Sequence, residues 1–319
     1  MAKKVLIPQA VAQEAVDELK KNGYEIKMGS GAEEADLIRD VADCEAILLR
    51  TAPCTRAVLE AGKNLKIVAR HGAGYNNVNL QAANELGIWV TNTPDATTGP
   101  VAEFTIGAII TAARRFYLLS DSIRKNNFFY KYNHKGFDLA GKTLGVVGAG
   151  RIGSCVAKKA HFGLDMKILA YDARPARTDL PEYIKQVDME TLLKESDFVT
   201  LHVPGCKENE NLISTKELAM MKPTAYLINC ARGEIVDENA LVTALQNKEI
   251  AGAFLDVMKE EPFNPNHPLF SMEDVSITPH MASNTIECMK AIACDAASQI
   301  NLVLKGEIPS WPVNHPVKK

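Results

Sequence analysis

The chain has 319 residues, a length that fits two domains at roughly 100–200 residues each. Its hydrophobic fraction of 46% and charged fraction of 24% are ordinary for a soluble globular protein. The net charge of -3 gives no electrostatic reason to expect nucleic acid or an anionic membrane as a partner, and the lack of an apolar run of about eighteen or more residues argues against a membrane span.

The first hundred residues alternate short apolar runs with amphipathic segments. The apolar runs predict strands at 5–7, 24–28, 46–49, 67–69 and 88–90. The segments between them predict helices at 11–21, 33–41, 57–61 and 80–86. Strands that are apolar throughout, with helices between them, indicate a parallel sheet covered on both faces.

The second half repeats this pattern, with strands predicted at 144–147, 168–171, 198–201, 226–228, 252–255 and 275–277. Two longer helical patterns, 101–116 and 285–304, lie between the two series and after the last strand. We expect Gly99-Pro100 to punctuate the chain before the first of them. The predicted fold is α/β with two doubly wound parallel-sheet domains, one discontinuous (1–99 and 288–319) and one at 100–287.

A G-x-G-x-x-G sequence occupies residues 148–153, directly after a predicted strand and at the start of a predicted helix. Asp172 ends the next strand, nineteen residues after Gly153. Glycine triplets occur by chance, but a triplet with this strand, helix and acid predicts a dinucleotide-binding turn.

Each position of the motif has a physical role in that interpretation. Gly148 permits the tight turn, Gly150 lets a pyrophosphate approach the backbone, and Gly153 allows close packing of helix on strand. The helix N-terminal amides of Arg151 and Ile152 would hold the phosphates.

Asp172 predicts which dinucleotide is bound. Its carboxylate would accept hydrogen bonds from the adenosine ribose hydroxyls and would repel a 2′-phosphate, so NAD is favoured over NADP. Arg174 lies close by and weakens that preference.

Three predicted strands in the second half are followed by polar residues, at 229–233, 256–262 and 278–280. Ligands of open α/β sheets bind at the carboxyl ends of strands, so these segments are expected to converge on one crevice. Hydride transfer to a ketone needs a cation for the substrate, an acid for the developing alkoxide, and a partner for that acid. Arginine, histidine and glutamate are present in these segments to fill those roles.

The motifs Asn229-x-Ala231-Arg232-Gly233, Asp256-Val257-x-x-x-Glu261-Pro262 and Pro279-His280, with residues 139–145 leading into the glycine turn, resemble the D-2-hydroxyacid dehydrogenase family. The resemblance implies a Rossmann NAD-binding domain at 100–287 and a flavodoxin-like substrate domain in the rest of the chain. It further implies that Arg232 binds the substrate carboxylate and carbonyl, that Glu261 pairs with His280, and that His280 is the acid/base.

The same resemblance implies further contacts with the cofactor. Asp256 would contact the nicotinamide amide, and the other expected contacts are Val203, Cys230, Ala231 and Ala282. The chemistry needs no thiolate at Cys230, which favours a packing role for its side chain.

The resemblance extends to residues 70–79, which match the family's substrate loop, and the amides of Ala73 and Gly74 would cradle the substrate carboxylate. Asn76 and Asn79 stand where two aspartates are usual. Arg50 follows a strand end where phosphoglycerate-type relatives place an arginine near the substrate phosphate, and a surface arginine is an equal alternative.

The activity implied is that of an NAD-dependent D-2-hydroxyacid dehydrogenase or 2-ketoacid reductase, with 3-phosphoglycerate or hydroxypyruvate as candidate substrates. Glyoxylate and D-lactate stay open, and so does an NAD(H)-sensing corepressor-like protein of the same fold. A homodimer is expected from the family, and residues 101–127, with the nearby aromatics, are either its interface or core: Phe116, Tyr117, Phe128 and Phe129.

The cysteines and histidines favour neither a disulfide framework nor a metal site. The seven cysteines are scattered without a C-x-x-C pair, which favours free thiols in a reducing compartment and hence the cytoplasm. The seven histidines form no H-E-x-x-H and no i, i+4 pair, so no metal is predicted.

Overall fold

The computed structural model describes residues 2–174 and 179–316. The chain divides into two compact units, Met1–Thr97 with Asn284–Lys319 and Thr98–Ser283, which we call the first and second unit. The functional domain boundaries inferred from the sequence stay predictions.

The first unit is a five-stranded parallel sheet with helices on both faces. Its strands are β1 (Lys4–Ile7), β2 (Glu25–Met28), β3 (Ala46–Leu49), β4 (Ile67–Arg70) and β5 (Trp89–Thr91). Its helices are α1 (Gln13–Lys21), α2 (Glu34–Val41), α3 (Arg56–Ala61), α4 (Leu80–Leu86) and the last helix of the chain, α11 (Ile286–Leu304). The strand order β2-β1-β3-β4-β5 is flavodoxin-like, as predicted.

The second unit is a seven-stranded parallel sheet. Its strands are β6 (Thr143–Val147), β7 (Lys167–Tyr171), β8 (Ile184–Gln186), β9 (Phe198–Leu201), β10 (Tyr226–Asn229), β11 (Gly252–Leu255) and β12 (Val275–Ile277). Its helices are α5 (Thr98–Arg114), α6 (Phe116–Arg124), α7 (Arg151–Leu164), α8 (Met189–Glu195), α9 (Thr215–Met220) and α10 (Glu238–Gln246). The strand order β12-β11-β10-β9-β6-β7-β8 is that of a Rossmann fold, which confirms the predicted class.

Burial explains why these strands are apolar on both sides. In β9 every residue is buried, with Phe198 facing the core shared with α5 and α7, and Val199 facing the core formed with α8, α9 and α10. Successive side chains of a strand point to opposite faces of the sheet. A sheet with helices on both faces therefore needs apolar residues throughout its strands.

Two parts of the second unit differ from the sequence-based expectation. The helix predicted at 101–116 begins at Thr98, so Gly99-Pro100 lies in its first turn. Proline is tolerated there because N–H groups of the first turn have no acceptor within the helix. It ends at Arg114, because Arg115 adopts a left-handed conformation (φ 52°) before α6 begins. Strand β8 was not predicted, since only Ile184 of its three residues is buried at this sheet edge.

Candidate active site

The polar motifs of the second unit lie at the carboxyl ends of adjacent parallel strands. The glycine turn follows β6, and residues 202–203 follow β9. The segments that begin at Cys230, Asp256 and Thr278 follow β10, β11 and β12. From β6 the chain continues to β7 and β8 on one side of the sheet, and from β9 it continues to β10, β11 and β12 on the other side. The carboxyl ends of β6 and β9 therefore form the topological switch point, where ligands of such sheets bind.

The glycine turn is shaped by two close backbone approaches. Gly148 has φ 95°, and a Cβ there would lie 2.7 Å from the carbonyl oxygen of His202 and 2.9 Å from Val203 Cγ1. A Cβ at Gly153 would overlap the carbonyl oxygen of Gly148. Both positions therefore require glycine, for the turn and for the packing of α7 on β6.

Gly150 differs from these two glycines, because the space around its Cβ position is open to 4 Å. It is the N-cap of α7, and Arg151 and Ile152 form the first turn of that helix. A helix N-terminus beside open space suits the pyrophosphate of a dinucleotide, since the terminal amides point at the anion. The residues present therefore fit NAD, with Gly150, Arg151 and Ile152 as the groups that would hold its phosphates.

Asp172 is held by a neighbouring cation. The carboxylate accepts hydrogen bonds from Arg174 Nε at 2.8 Å and Nη2 at 2.7 Å, and from the Arg174 backbone N–H at 3.1 Å. The Asp172 side chain is largely buried, whereas that of Arg174 is exposed. A guanidinium thus lies beside the acid that is predicted to select NAD over NADP.

The loop after β10 positions Arg232. Asn229, which is fully buried, accepts a hydrogen bond from the Ala231 N–H at 3.0 Å and donates one to the Arg232 carbonyl at 2.9 Å. Arg232 Nη1 donates to the Ala231 carbonyl at 2.6 Å. Burial lowers the pKa of Arg232, and the nearby Glu234 and Glu261 oppose that shift. The guanidinium is therefore a largely desolvated cation whose charge is supported by two nearby carboxylates.

Two glycines near Arg232, Gly205 and Gly233, allow loops from different strands to approach each other closely. A Cβ at Gly233 would overlap the backbone of Met258, so the loop after β11 passes directly over this residue. A Cβ at Gly205 would lie 2.8 Å from Arg232 Cγ. Gly233 belongs to a recognisable motif and Gly205 does not, because a close approach between loops from different strands leaves no local signal in the sequence.

His280 and Glu261 form a direct pair. His280 Nδ1 lies 2.8 Å from Glu261 Oε2, and both side chains are partly exposed. Since a carboxylate accepts the hydrogen bond, the proton lies on Nδ1, and Nε2 is the atom left to exchange a proton with a ligand. The geometry brings together the two residues that the sequence predicted as a pair.

Asp256 is fully buried at the end of β11. Its Oδ1 accepts hydrogen bonds from the Thr278 hydroxyl at 2.6 Å and the Met281 N–H at 2.8 Å, and its Oδ2 accepts one from the Ala282 N–H at 2.8 Å. These contacts hold the loop of His280. The contact with nicotinamide implied by the family resemblance stays a prediction.

The remaining candidates of the second unit pack in its core. Cys230 is buried, and burial raises the pKa of its thiol to about 12, so the side chain is a neutral packing group. Ala282 is also buried, and Ala231 packs at the edge of the core.

In the first unit, the loop after β4 is braced by two residues that follow β5. Thr93 accepts a hydrogen bond from the Gly72 N–H and donates its own N–H to the Gly72 carbonyl, both at 3.0 Å. Asn92 Nδ2 donates to the Ala73 carbonyl at 2.7 Å. The backbone of the predicted substrate loop, which includes Ala73 and Gly74, is thus fixed by the residues that follow β5.

Asn77 and Asn79 complete that loop. Asn77 Nδ2 donates to the carbonyls of Arg50 and Ala52 at 3.1 and 2.8 Å. Asn79 caps α4 by accepting a hydrogen bond from the Ala82 N–H at 2.9 Å, a role that asparagine fills as well as the aspartate usual in the family.

Arg50 Nη1 donates to the carbonyl of Ala10 at 2.9 Å, a contact to its own unit. Arg70 donates to the His71 carbonyl and, from Nε, to Asn77 Oδ1 at 3.2 Å. Both arginines near the predicted substrate loop therefore make hydrogen bonds that hold loops of the first unit.

Neither a metal centre nor a membrane-spanning helix is found in the described part of the chain. Across residues 2–174 and 179–316, no group of three or more His, Cys, Asp or Glu side chains is arranged to hold a metal ion. Among the helices of those same ranges, none is long and apolar enough to cross a bilayer.

The chain is similar in sequence to known dehydrogenases and reductases. Residues 106–282 match the model of the D-isomer specific 2-hydroxyacid dehydrogenase, NAD binding domain. A glyoxylate reductase of Thermofilum pendens is 43% identical over 291 residues, which cover 89% of this chain and 85% of that protein. A D-3-phosphoglycerate dehydrogenase of Archaeoglobus fulgidus is 38% identical over 95% of this chain, which spans only 58% of that relative's length.

The fold is also that of solved structures. The crystal structure of a protein from Thermus thermophilus superimposes with a TM-score of 0.89 at 34% identity, over 97% of this chain and 99% of that one. The match to the family model covers more than half of the chain, and it includes the glycine turn, Arg232, Glu261 and His280. The chain belongs to the D-isomer specific 2-hydroxyacid dehydrogenase family and is an NAD-dependent oxidoreductase acting on the CH–OH group of 2-hydroxy acids.

Proposed function

We propose that the chain reduces a small, unphosphorylated 2-keto acid, glyoxylate or hydroxypyruvate, to the corresponding 2-hydroxy acid, with Arg232, Glu261 and His280 as its catalytic residues. The observation that carries this proposal is the 2.8 Å contact between His280 Nδ1 and Glu261 Oε2, at the sheet edge that also presents Arg232.

In the direction of reduction, bound NADH would supply a hydride to C2 of the keto acid. Arg232 binds the carboxylate and the carbonyl oxygen, and its positive charge stabilises the negative charge that develops on that oxygen. His280 donates the Nε2 proton to the oxygen, so a neutral hydroxyl group forms. Glu261 accepts the Nδ1 hydrogen bond throughout, which fixes the ring orientation and the atom that donates.

The substrate loop of the first unit supports a small acid. Gly72 is fixed by Thr93, and the adjacent amides of Ala73 and Gly74 would bind the substrate carboxylate. Arg50 and Arg70 each donate a hydrogen bond within their own unit, and an unphosphorylated acid leaves these contacts in place. Relatives named glyoxylate reductase support an unphosphorylated acid, and relatives named D-3-phosphoglycerate dehydrogenase are the reason to include the phosphorylated acid in the test.

A homodimer is the assembly that we propose. Phe116, Tyr117, Phe128 and Phe129 are each more than half exposed, so the alternative that they belong to the core is wrong. Aromatic side chains grouped in this way on a surface mark an interaction site. We place the dimer interface on α6 and the short 3-10 helix Phe128–Tyr132.

The cytoplasm is the proposed compartment. All seven cysteines are free thiols, and four of them are buried: Cys44, Cys54, Cys230 and Cys288. Unpaired thiols persist where the environment is reducing.

The test is NADH oxidation at 340 nm with glyoxylate, hydroxypyruvate, pyruvate, 2-ketoglutarate and 3-phosphohydroxypyruvate, with NADPH in parallel. We expect turnover of glyoxylate or hydroxypyruvate, and a His280→Ala variant should lose about 10²–10⁴-fold in kcat while it still binds NADH. His315→Ala, at an exposed histidine of the first unit, is the matched control. Efficient use of only the phosphorylated acid, or normal turnover by His280→Ala, would contradict the proposal.

A further inference from the structure

Residues 310–314 cover the outer side of β5, which pairs with β4 on its other side. The segment and the strand form an antiparallel bridge between Thr91 and Pro312, and the Val313 N–H donates to the Val90 carbonyl at 2.9 Å. Proline fits in this bridge because the hydrogen bonds come from the residues on either side of it. The segment therefore closes the edge of the five-stranded sheet with main-chain hydrogen bonds.

Asn314 continues this pairing with its side chain. Its Oδ1 accepts a hydrogen bond from the Val90 N–H at 2.7 Å, and its Nδ2 donates one to the Ile88 carbonyl at 2.9 Å. The residue is only 4% exposed, so both hydrogen bonds are shielded from water. A carboxamide suits this position because, like a peptide group, it supplies both an acceptor and a donor.

The start of the segment is held by Gln299 of α11. Its Oε1 accepts hydrogen bonds from the N–H groups of Ser310 and Trp311 at 2.7 and 3.3 Å, and the side chain is buried. One buried carboxamide therefore fixes the segment to the helix, and another, that of Asn314, fixes it to the strand.

The strand β5 leads directly into the two residues that brace the predicted substrate loop. Asn92, whose N–H donates to the Trp311 carbonyl at 3.3 Å, donates from Nδ2 to the Ala73 carbonyl at 2.7 Å. Thr93 exchanges two hydrogen bonds with Gly72, both at 3.0 Å. Consecutive hydrogen bonds within the first unit thus join residues 310–314, the end of β5 and the substrate loop.

We propose that Asn314 is a positioning residue, which fixes the outer edge of β5 so that the substrate loop presents its amides to the carboxylate of the keto acid. It acts through Asn92 and Thr93, which join β5 to that loop. The inference rests on the proposed function, because that function assigns the amides of Ala73 and Gly74 to the substrate. Substrate affinity then depends on a segment that follows the last helix of the chain.

Asn314→Asp tests the pairing with almost no change of shape. One carboxylate oxygen can still accept from the Val90 N–H, but the other faces the Ile88 carbonyl, so a hydrogen bond becomes a repulsive contact. We expect the KM of the keto acid to rise about fivefold, within the range that substitutions along a network of contacts produce. The value of kcat should stay within about twofold of wild type, because the substrate and the transition state lose the same binding. The Kd of NADH should not change.

Hydrogen–deuterium exchange follows the loop without dependence on activity. In Asn314→Asp, the amides of Val90 and of residues 72–74 should exchange faster than in wild type, since the edge of β5 and the loop both lose support. Asn22→Asp is the matched control, because it makes the same substitution in the same unit, at a carboxamide that donates to the Glu18 carbonyl at the end of α1. It should change neither the exchange at 72–74 nor the KM.

Unchanged exchange at residues 72–74 in Asn314→Asp, or an unchanged KM, would overturn the inference, because the edge of β5 would then not control the loop. If Asn314→Asp does not fold, Gln299→Met decides by the same readouts, since it removes the acceptor of two N–H groups at the other end of the segment. A wild-type protein inactive on every keto acid would contradict the proposed function alone, and the exchange experiment would still test the support of the loop.

Discussion

His280 Nδ1 and Glu261 Oε2 lie 2.8 Å apart, although the two residues belong to loops that follow different strands, β12 and β11. The pair forms because parallel strands bring their carboxyl ends to one edge of the sheet. Nδ1 of His280 makes the contact with Glu261, and this contact fixes the ring and hence the direction in which Nε2 points.

Glu261→Gln should lower kcat about 10- to 100-fold, because the amide keeps the shape but supplies no negative charge to stabilise a protonated His280. The KM of the keto acid should change little. Steady-state kinetics at saturating NADH measure both quantities. Glu260→Gln is the control at the neighbouring, exposed carboxylate, and it should behave as wild type. Equal losses of kcat in the two variants would mean that the effect comes from the loss of any nearby negative charge and not from the Glu261–His280 pair.

Arg232→Lys should raise the KM of the keto acid at least about tenfold, because a lysine ammonium cannot make the two parallel hydrogen bonds that a guanidinium makes to a carboxylate. The Kd of NADH, measured by fluorescence titration, should stay close to that of wild type. Arg124→Lys, on the exposed end of α6, provides the comparison. Partial recovery of activity on adding free guanidinium to Arg232→Ala would support the same role, and an unchanged KM in Arg232→Lys would remove it.

Gly150→Ala should weaken NADH binding about tenfold, equivalent to roughly 1.4 kcal/mol, because a methyl group would occupy the open space at the start of α7 where the pyrophosphate is expected. The fold should be retained, since no atom lies within 4 Å of that position. Gly163→Ala, at an equally open position of the same helix, is the matched control and should bind NADH normally. Isothermal titration with NADH compares the two. Normal binding by Gly150→Ala would place the phosphates elsewhere.

The periodicity of the chain was enough to predict both sheets, because strands covered on two faces are continuous apolar runs, as 198–201 shows. It missed β8, whose edge position leaves Lys185 exposed and gives no apolar run. It also placed the end of the first long helix two residues late, because nothing local marks the left-handed Arg115.

For the site, the sequence predicted which residues lie together better than it predicted what holds them. The pairing of Glu261 with His280 followed from a family resemblance and is present in the structure. The bracing of the loop by Asp256 and the approach of Met258 to Gly233 depend on distances between loops of different strands. Such distances are set by the tertiary fold, so no motif spacing encodes them.

Phe129→Asp should convert the proposed dimer to a monomer, because a charge would replace an aromatic ring that is 70% exposed within the proposed interface. Phe162→Asp is the control, since Phe162 is 66% exposed on α7, outside that segment. Sedimentation velocity of the two variants and the wild type gives the masses. A monomeric wild type would refute the dimer, and a dimeric Phe129→Asp would place its interface on another surface.

His71 should make the stability of the protein depend on pH. The residue is buried, and burial, together with the positive charges of Arg50 and Arg70, lowers the pKa of His71 from 6.5 to about 4. Between these values the unfolded chain binds a proton at this site and the folded chain does not. The folding free energy that depends on neutral His71 is therefore fully present above pH 6.5 and is lost as the pH falls toward 4.

Lowering the pKa of His71 by about 2.5 corresponds to about 3.5 kcal/mol at roughly 1.4 kcal/mol per pKa unit, of which about 3 kcal/mol should be lost by pH 4. Urea unfolding at intervals from pH 8 to pH 4 measures it, with His71→Gln as the comparison, because glutamine removes this titration and leaves every other group in place. The free energy of unfolding of the wild type should fall more steeply than that of His71→Gln below pH 6.5, and the two curves should run parallel above it. Parallel curves over the whole range would mean that His71 titrates alike in the folded and unfolded chains.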